Sequence, residues 1–588
     1  MKPTIGLVMI VRDEEENLTA CLESVRGVVD EIVIVDTGSR DRTVEIARRY
    51  TDCVYNYPWD DDFSAARNYA IERSSCDWLL SMDADEELGG SCGDLRTLVD
   101  EAGGYEAFFL PLYNQEAYYP GGYTVFPVLR LFRNLPDYRF QGKIHEQLIV
   151  KRPEAVGVAE HPVIWHKLSP PKKRNQKRGR NLALLRRAVL EEPDNCFLHY
   201  YLGVEWLGLG RPDLALSHLQ NARSNLKEGH VLFRLPAVRS LVQCLKALKM
   251  VDEAICVCME EAAKHPEWPD LFFEGGLLFE EIGEYEVAIR WFREATNCGC
   301  RHPLFSCTNG ASGFLAFYHL GRCYERLGNF GEARQCYEKA LSVNPEFVLP
   351  LCSLFLLELV DVGPDRAWEH LLAKGYMERP SHLEVLADLF FEAGCPDLAS
   401  ACLERMSPAG GRDSLARLKK VIKCRIYGGK ADVALQDIER LQGADSLREG
   451  LEVDEIVALL LQGECERAKR RALSLWRRSR GAGWALLNLV ALAGGGSICG
   501  YPEKTAYGEM FSALLAVIEG CLRFRSNAGG CEDSLAERYR GLALLAMQLL
   551  SRFSPEGSLA LSEYLEKKSA AVSRLAAVRY GKVWGELA

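Results

Sequence analysis

The stretch LLSMDADEEL (79–88) opens on an apolar pair, Leu79 and Leu80, and ends among the acids Asp83, Asp85, Glu86 and Glu87. A short apolar run of this kind reads as a strand buried on both faces. Carboxylates packed so closely repel one another unless positive charge lies between them. Asp83 and Asp85, one residue apart just past the strand, form an oxygen pair suited to a hard divalent cation. The same acids would also serve as a solvated strand end or a cap for the next helix. The surrounding sequence has to decide.

Outward from this stretch, short β-rich runs alternate with helical patterns. TIGLVMIV (4–11) and EIVIVD (31–36) are continuous apolar strands, CVYNY (53–57) is a third and DWLLSMD (77–83) a fourth. Between them, Leu18, Leu22 and Val25 fall at helical spacing, DTGSRDRT turns into a helix, and FSAARNYAIERS (63–74) reads as another. Strand–helix alternation implies right-handed crossovers and a mostly parallel, Rossmann-like α/β sheet. Ligands bind such sheets at the carboxyl ends of the strands. Arg12, Asp13, Asp36 and the acids from Asp83 to Glu87 all sit at such ends and should converge on one cleft.

Beyond about residue 190 the strand signals stop. YHLGRCYERLGNFGEARQCYEKALSVNP (318–345) matches the tetratricopeptide pattern through Leu320, Gly321, Tyr324, Ala333, Tyr337, Ala340 and Pro345. Weaker copies are framed by Gly203, Ala215 and Ala222, and by Gly276, Phe279, Ala288, Phe292 and Ala295. Ala254 to Ala288 spans 34 positions, as does Ala434 to Ala468. An all-α solenoid follows from that period. The expected divisions are 1–170 for the α/β domain, 171–350 for the repeats, 351–480 for degenerate repeats and 481–588 for a further helical region.

The 588 residues carry 48% hydrophobic and 26% charged side chains, an ordinary globular balance, and a net charge of −11 that argues against a general nucleic-acid or anionic-membrane binder. No apolar run approaches the roughly 18 residues of a membrane span. Lys2 followed by IGLVMIV imitates a signal peptide, but RDEEE follows without a cleavage site. The 21 cysteines are odd in number and scattered; CVC (256–258) and CGC (298–300) lack zinc-site spacing. Reduced, buried thiols in a cytoplasmic protein are expected. The basic run KKRNQKRGR (172–180) reads as the solvated start of a helix.

Residues 4 to 168 resemble family 2 glycosyltransferases of the GT-A fold. The resemblance rests on IVRDEEENL (10–18), EIVIVDTGSRDRT (31–43), DDFSAARNYAI (61–71), DWLLSMDADE (77–86) and GKIHEQL (142–148), in that order. Fusion to helical repeats is similar to a bacterial subgroup that includes peptide S-glycosyltransferases. The resemblance implies an inverting hexosyltransferase using a nucleotide-diphosphate sugar, UDP-sugars first, with manganese or magnesium. It places Val11, Arg12 and Glu14 beside the base and ribose, and Asp36 on the base. Arg67 and Asn68 would lie near the nucleotide, with Arg67 on a phosphate or on Asp83. Asp83, with Ala84 beside it, would face the ribose or metal, Asp85 would ligate the metal, and His166 would be a late metal ligand or a core histidine. Glu146 is the candidate base. Members of the family often carry two acids there; His-Glu stands here instead, so His145 is the alternative base or a sugar-binding residue.

Three readings follow. The chain transfers sugar to a protein or peptide docked by the repeats; or to a lipid-linked or polysaccharide acceptor, with the repeats docking a partner; or it is a non-catalytic scaffold. The aromatics Tyr113, Tyr118, Tyr119 and Tyr123 would stack on a sugar or fill an interdomain seam.

Overall fold

The computed structural model describes residues 2–90, 92–115, 122–168, 170–227, 230–298, 304–406, 412–440, 450–498, 500, 506–524 and 533–553. Tyr118, Tyr119, Cys300 and the end of the 481–588 helical region lie outside these. The chain divides into two compact units, Met1–Leu327 and Gly328 onward.

The first unit begins with β1 (Ile5–Val11), α1 (Leu18–Ser24), β2 (Glu31–Asp36), α2 (Thr43–Ala47), β3 (Val54–Asn56), α3 (Phe63–Ile71) and β4 (Trp78–Ser81). Strand β1 is buried almost throughout because it is central. Its side chains alternate between two cores, as the period of a strand requires. Ile5, Leu7, Met9 and Val11 pack with Leu18, Leu22 and Trp78 on one face. Val8 packs with Val33, Ile71 and Phe132 on the other.

Next come β5 (Glu86–Gly89), α4 (Cys92–Asp100), β6 (Ala107–Gln115), β7 (Tyr123–Arg133), β8 (Arg139–Gln141), β9 (Gln147–Ile149), β10 (Val156–Val158) and β11 (Val163–His166). The sheet order is β3-β2-β1-β4-β7-β6-β11-β5. It is parallel from β3 through β4, as the sequence predicts. It then turns mixed, because β7 runs antiparallel to both β4 and β6, and β5 antiparallel to β11. Strands β8 and β9 form a separate hairpin.

Helices follow: α5 (Pro171–Glu191), α6 (Cys196–Gly208), α7 (Pro212–Asn225), α8 (Val231–Ala247), α9 (Val251–Lys264), α10 (Pro269–Glu281) and α11 (Tyr285–Asn297). Strand β12 (Cys307–Thr308) then pairs antiparallel with β7, tying the helical chain back to the sheet before α12 (Phe314–Arg326). Small residues let the paired helices approach. A Cβ on Gly203 would meet Leu219 at 2.6 Å, and one on Gly276 would meet the Phe292 ring at 2.6 Å. Ala215, Ala222, Ala288 and Ala295 are fully buried, as the repeat pattern requires. Gly283, at φ +85°, makes the turn between α10 and α11 in a conformation that favours glycine.

The second unit is helical throughout its described residues, from Phe330–Val343 to Asp533–Phe553. Ala333, Tyr337 and Ala340 are fully buried in its first helix. Ala434 and Ala468 lie in a core with Ile438, Leu459 and Leu514. Among the described residues, no helix is long and apolar enough to cross a membrane.

Candidate active site

The register of the parallel strands decides where the polar strand ends meet. Val11 lies opposite Asp36 and Val8 opposite Ser81, so β1, β2 and β4 end at one edge of the sheet. A cavity of about 900 Å³ opens there. Val11, Arg12, Glu14, Asp83, Ala84 and Asp85 line one side. Tyr200 and Tyr201 of α6 and Phe233 and Pro236 of α8 line another, so the helices after the sheet build part of the cleft.

The positive charge among the acids is supplied first by arginines. Helix α3 starts with the Phe63 N–H donating to the Lys143 carbonyl at 2.9 Å, which places Arg67 against the 142–146 loop. Arg67 is 8% exposed. Its guanidinium donates to Asp83 Oδ1 at 2.6 Å, to Ser81 Oγ at 3.2 Å and to Glu146, and stacks over Phe140. Arg130 of β7 takes the other oxygen, Asp83 Oδ2, at 2.8 Å and Glu86 Oε1 at 2.7 Å. Burial alone would raise the Asp83 pKa; Arg67 and Arg130 outweigh it and hold the carboxyl well below its usual range. Glu86, 2% exposed, is pushed up to about 7 by burial and by the Asp83 charge, against the pull of Arg130. Both oxygens of Asp83 are thus engaged by arginines.

Asp85 sits in a different setting. The segment Glu86–Gly89 is itself a strand, and its antiparallel pairing sets His166 opposite Glu86. The Lys167 N–H donates to the Asp85 carbonyl at 3.1 Å. His166 Nε2 faces Asp85 Oδ2 at 3.7 Å, while its Nδ1 is held by Asn114 Oδ1 at 2.7 Å. Burial opposes the charge on Asp85, but His166 and Lys177 overcome it and lower the pKa to about 2. Burial likewise pulls His166 down, and Asp85 more than restores it. Lys177 of α5 reaches Asp85 Oδ2 at 2.8 Å and Glu14 Oε1 at 3.2 Å; Lys173 reaches Glu14 Oε2 at 3.0 Å.

His145 has φ +52°, a conformation uncommon for a side chain larger than glycine. Its ring lies flat on Tyr201, centroids 3.7 Å apart. Burial lowers its pKa to about 4. Its buried Nε2 has no hydrogen-bond partner among the described residues. Glu146, next to it, faces the cavity and Arg67.

Two residues expected at the nucleotide hold backbone groups. Asp36 accepts from the N–H groups of Gly38 and Ser39 at 3.1 Å and lies outside the cavity lining. Asn68 clamps β8, donating to the Phe140 carbonyl at 2.9 Å and accepting from the Phe140 N–H at 2.8 Å. Tyr113 and Tyr123 stack on each other, and both meet the Trp165 ring edge-on.

The run KKRNQKRGR forms the start of α5 and is exposed over much of its length, as the solvated reading expects, but one of its faces engages the cleft. Lys173, Lys177 and Arg180 share one helical face by their spacing. The first two pair with cleft acids, and Arg180 lines the cavity over the Phe63 ring. Burial and the neighbouring Arg12 depress Arg180, so two guanidiniums crowd one part of the wall. Basic composition hid that face; its i, i+4, i+7 spacing was the available signal. Among the described residues, no three or more His, Cys, Asp or Glu gather as a metal cluster.

Residues 7–111 match the model for glycosyl transferase family 2, and residues 314–347 match the tetratricopeptide repeat. A TPR repeat-containing protein of Synechococcus elongatus is 46% identical over 143 residues, 24% of this chain and 34% of that protein. The SPbeta prophage-derived glycosyltransferase SunS of Bacillus subtilis is 27% identical over 235 residues, 38% of this chain and 54% of that protein. The chain thus spans about a third and about half of the lengths of these curated relatives. The solved TPR protein YrrB overlaps 31% of this chain and 85% of its own, at 18% identity and a TM-score of 0.25. The chain carries a family 2 glycosyltransferase domain at its N-terminus and a tetratricopeptide repeat in the helical region that follows.

Proposed function

We propose that the chain transfers a sugar, with inversion, from a nucleotide-diphosphate sugar to a protein or peptide held by the helical repeats. The observation that carries this is the shared cleft: strand-end acids on one wall, α6 and α8 side chains on another. A donor bound at the strand ends would present its sugar toward Tyr201 and Phe233. Repeat solenoids offer extended concave surfaces to peptide segments.

The donor set fits a divalent metal through two protein ligands. Asp85 supplies a hard oxygen, and His166 turns Nε2 toward it because Asn114 holds Nδ1. Magnesium and manganese commonly take one or two protein ligands, with substrate phosphates completing the shell. Asp83, expected as a third ligand, has both oxygens on arginines; in our reading it fixes Arg67 and Arg130 instead. When bound, the metal would offset the charge that develops on the departing diphosphate.

The acceptor's proton goes to His145 Nε2 in this reading. The imidazole is neutral because burial opposes its charge, and the nitrogen has no competing partner among the described residues. Glu146 pairs with Arg67 and orients that arginine.

The test is calorimetry of UDP- and GDP-sugars with and without manganese. Binding of one of them is expected, tightened by manganese and weakened at least about 100-fold in Asp85→Ala. Well-folded protein that binds none of them would sink the donor reading and leave the repeat scaffold in its place.

A further inference from the structure

Lys177 belongs to α5, the helix that leaves the α/β sheet, yet its ammonium stands beside Asp85 in the cavity. Its second partner, Glu14, does not depend on it. Glu14 also accepts from Lys173 at 3.0 Å and from Asn17 Nδ2 at 2.7 Å. Lys177 can therefore leave Glu14 without stranding a buried charge. On the same helical face, Arg180 lines the cavity close to Arg12, two cations whose mutual repulsion an incoming anion would relieve. A lysine suits a change of partner, being a compact charge on a flexible four-carbon stem.

We infer that Lys177 exchanges partners in the donor cycle: it neutralises Asp85 in the donor-free protein and turns to the diphosphate of a bound nucleotide. This rests on the donor reading above. A divalent cation at Asp85 and His166 meets a like charge already standing at Oδ2, so it binds poorly alone. A nucleoside diphosphate supplies Lys177 with a new anion and releases Asp85 to the metal. Metal and nucleotide therefore favour each other's binding, and the coupling passes through one side chain.

Removing Lys177 should move two affinities in opposite directions, a pattern that general loosening of the site would not give. In Lys177→Met, manganese alone should bind the donor-free protein about tenfold more tightly than in the wild type. UDP or GDP, titrated in a metal chelator, should bind about tenfold more weakly. Lys177→Arg, which keeps the charge, should retain most of the metal-free nucleotide binding. Both measurements are made by calorimetry on the full chain, with melting curves confirming that each variant is folded.

Unchanged nucleotide affinity in Lys177→Met overturns the inference, as does unchanged or weaker manganese binding. Wild-type protein that binds nucleotide only with manganese overturns it too, while leaving the donor reading standing. Wild-type protein that binds neither UDP nor GDP under any condition removes the donor reading itself, and this inference with it.

Discussion

Two buried ionic clusters in the first unit invite comparison. At the cleft, Arg67 and Arg130 hold Asp83, Glu86 and Glu146. Between the helices, Arg234 grips Glu261 through three hydrogen bonds of 2.9 to 3.1 Å, with Arg223 at 3.1 Å beyond it. Glu261 is fully buried and Arg234 is 5% exposed. Burial would raise the Glu261 pKa, and its arginines lower it, just as at Asp83. The two clusters share their chemistry. They differ in what adjoins them: the cleft cluster lines a cavity of about 900 Å³ and the helical cluster does not, although both have a buried imidazole nitrogen without a hydrogen-bond partner among the described residues nearby, at His145 and at His265. A shifted pKa or a buried ion pair therefore does not identify a site; space beside it does.

The largest expected effect comes from removing the central arginine of each cluster. Arg234→Met leaves a fully buried carboxylate with fewer partners and should cost about 3–5 kcal/mol of stability by denaturant unfolding. Nucleotide affinity of the folded protein should stay as it is. Arg67→Met strands Glu146, leaves Asp83 with Arg130 alone and should cost a similar amount, but it should also weaken nucleotide binding at least about tenfold. Equal loss of stability with unchanged nucleotide affinity would make the cleft cluster a second structural cluster.

This comparison also marks how far the sequence could be read. Strands β1 to β4 and helix α3 follow from apolar runs and helical spacing, and the Arg67–Asp83 pair was among the expected alternatives. The acids converge because parallel register aligns the strand ends, which alternation alone implies. Arg130 was missed, although a lone arginine in the apolar run TVFPVLRLF (124–132) was a visible anomaly. The β5–β11 pairing that brings His166 to Asp85 joins segments far apart in sequence, and no local period encodes it. Lys177 was hidden by its basic neighbours. Tyr201 was hidden because an aromatic residue in a helix reads as core.

A middle-sized effect concerns pH at His145. Its folded pKa of about 4 lies below the ordinary value near 6.5, so the unfolded chain binds the proton first as the solution is acidified. His145 therefore lowers stability as pH falls from about 6.5 to about 4, by roughly 3 kcal/mol in all, and contributes no further slope below that. His145→Gln should flatten this part of the stability profile. If His145 also takes the acceptor's proton, transfer in the wild type should persist down to about pH 5, and the variant should lose about 10²–10⁴-fold in kcat. An acid limb near 6.5 that persists in the variant would move the proton acceptor elsewhere.

The smallest effect tests the helical side of the cleft by packing alone. A Cβ at Gly276 would stand 2.6 Å from Phe292 Cε1, and Phe292 is fully buried, so the ring cannot simply swing into solvent. Gly276→Ala should cost about 1–3 kcal/mol through overpacking. Gly331 has nothing among the described residues within 4 Å of its would-be Cβ, and Gly331→Ala should change stability by no more than about 0.5 kcal/mol. Gly276 is remote in sequence from the cleft residues, but α10 contacts α8, which supplies Phe233 and Pro236 to the cavity. Loss of stability with unchanged nucleotide affinity would mean that helix packing and donor binding are separable. Weakened nucleotide binding in Gly276→Ala would mean that the spacing of the helix pairs sets the cleft wall, so that the repeats shape the site as well as offering a surface beside it.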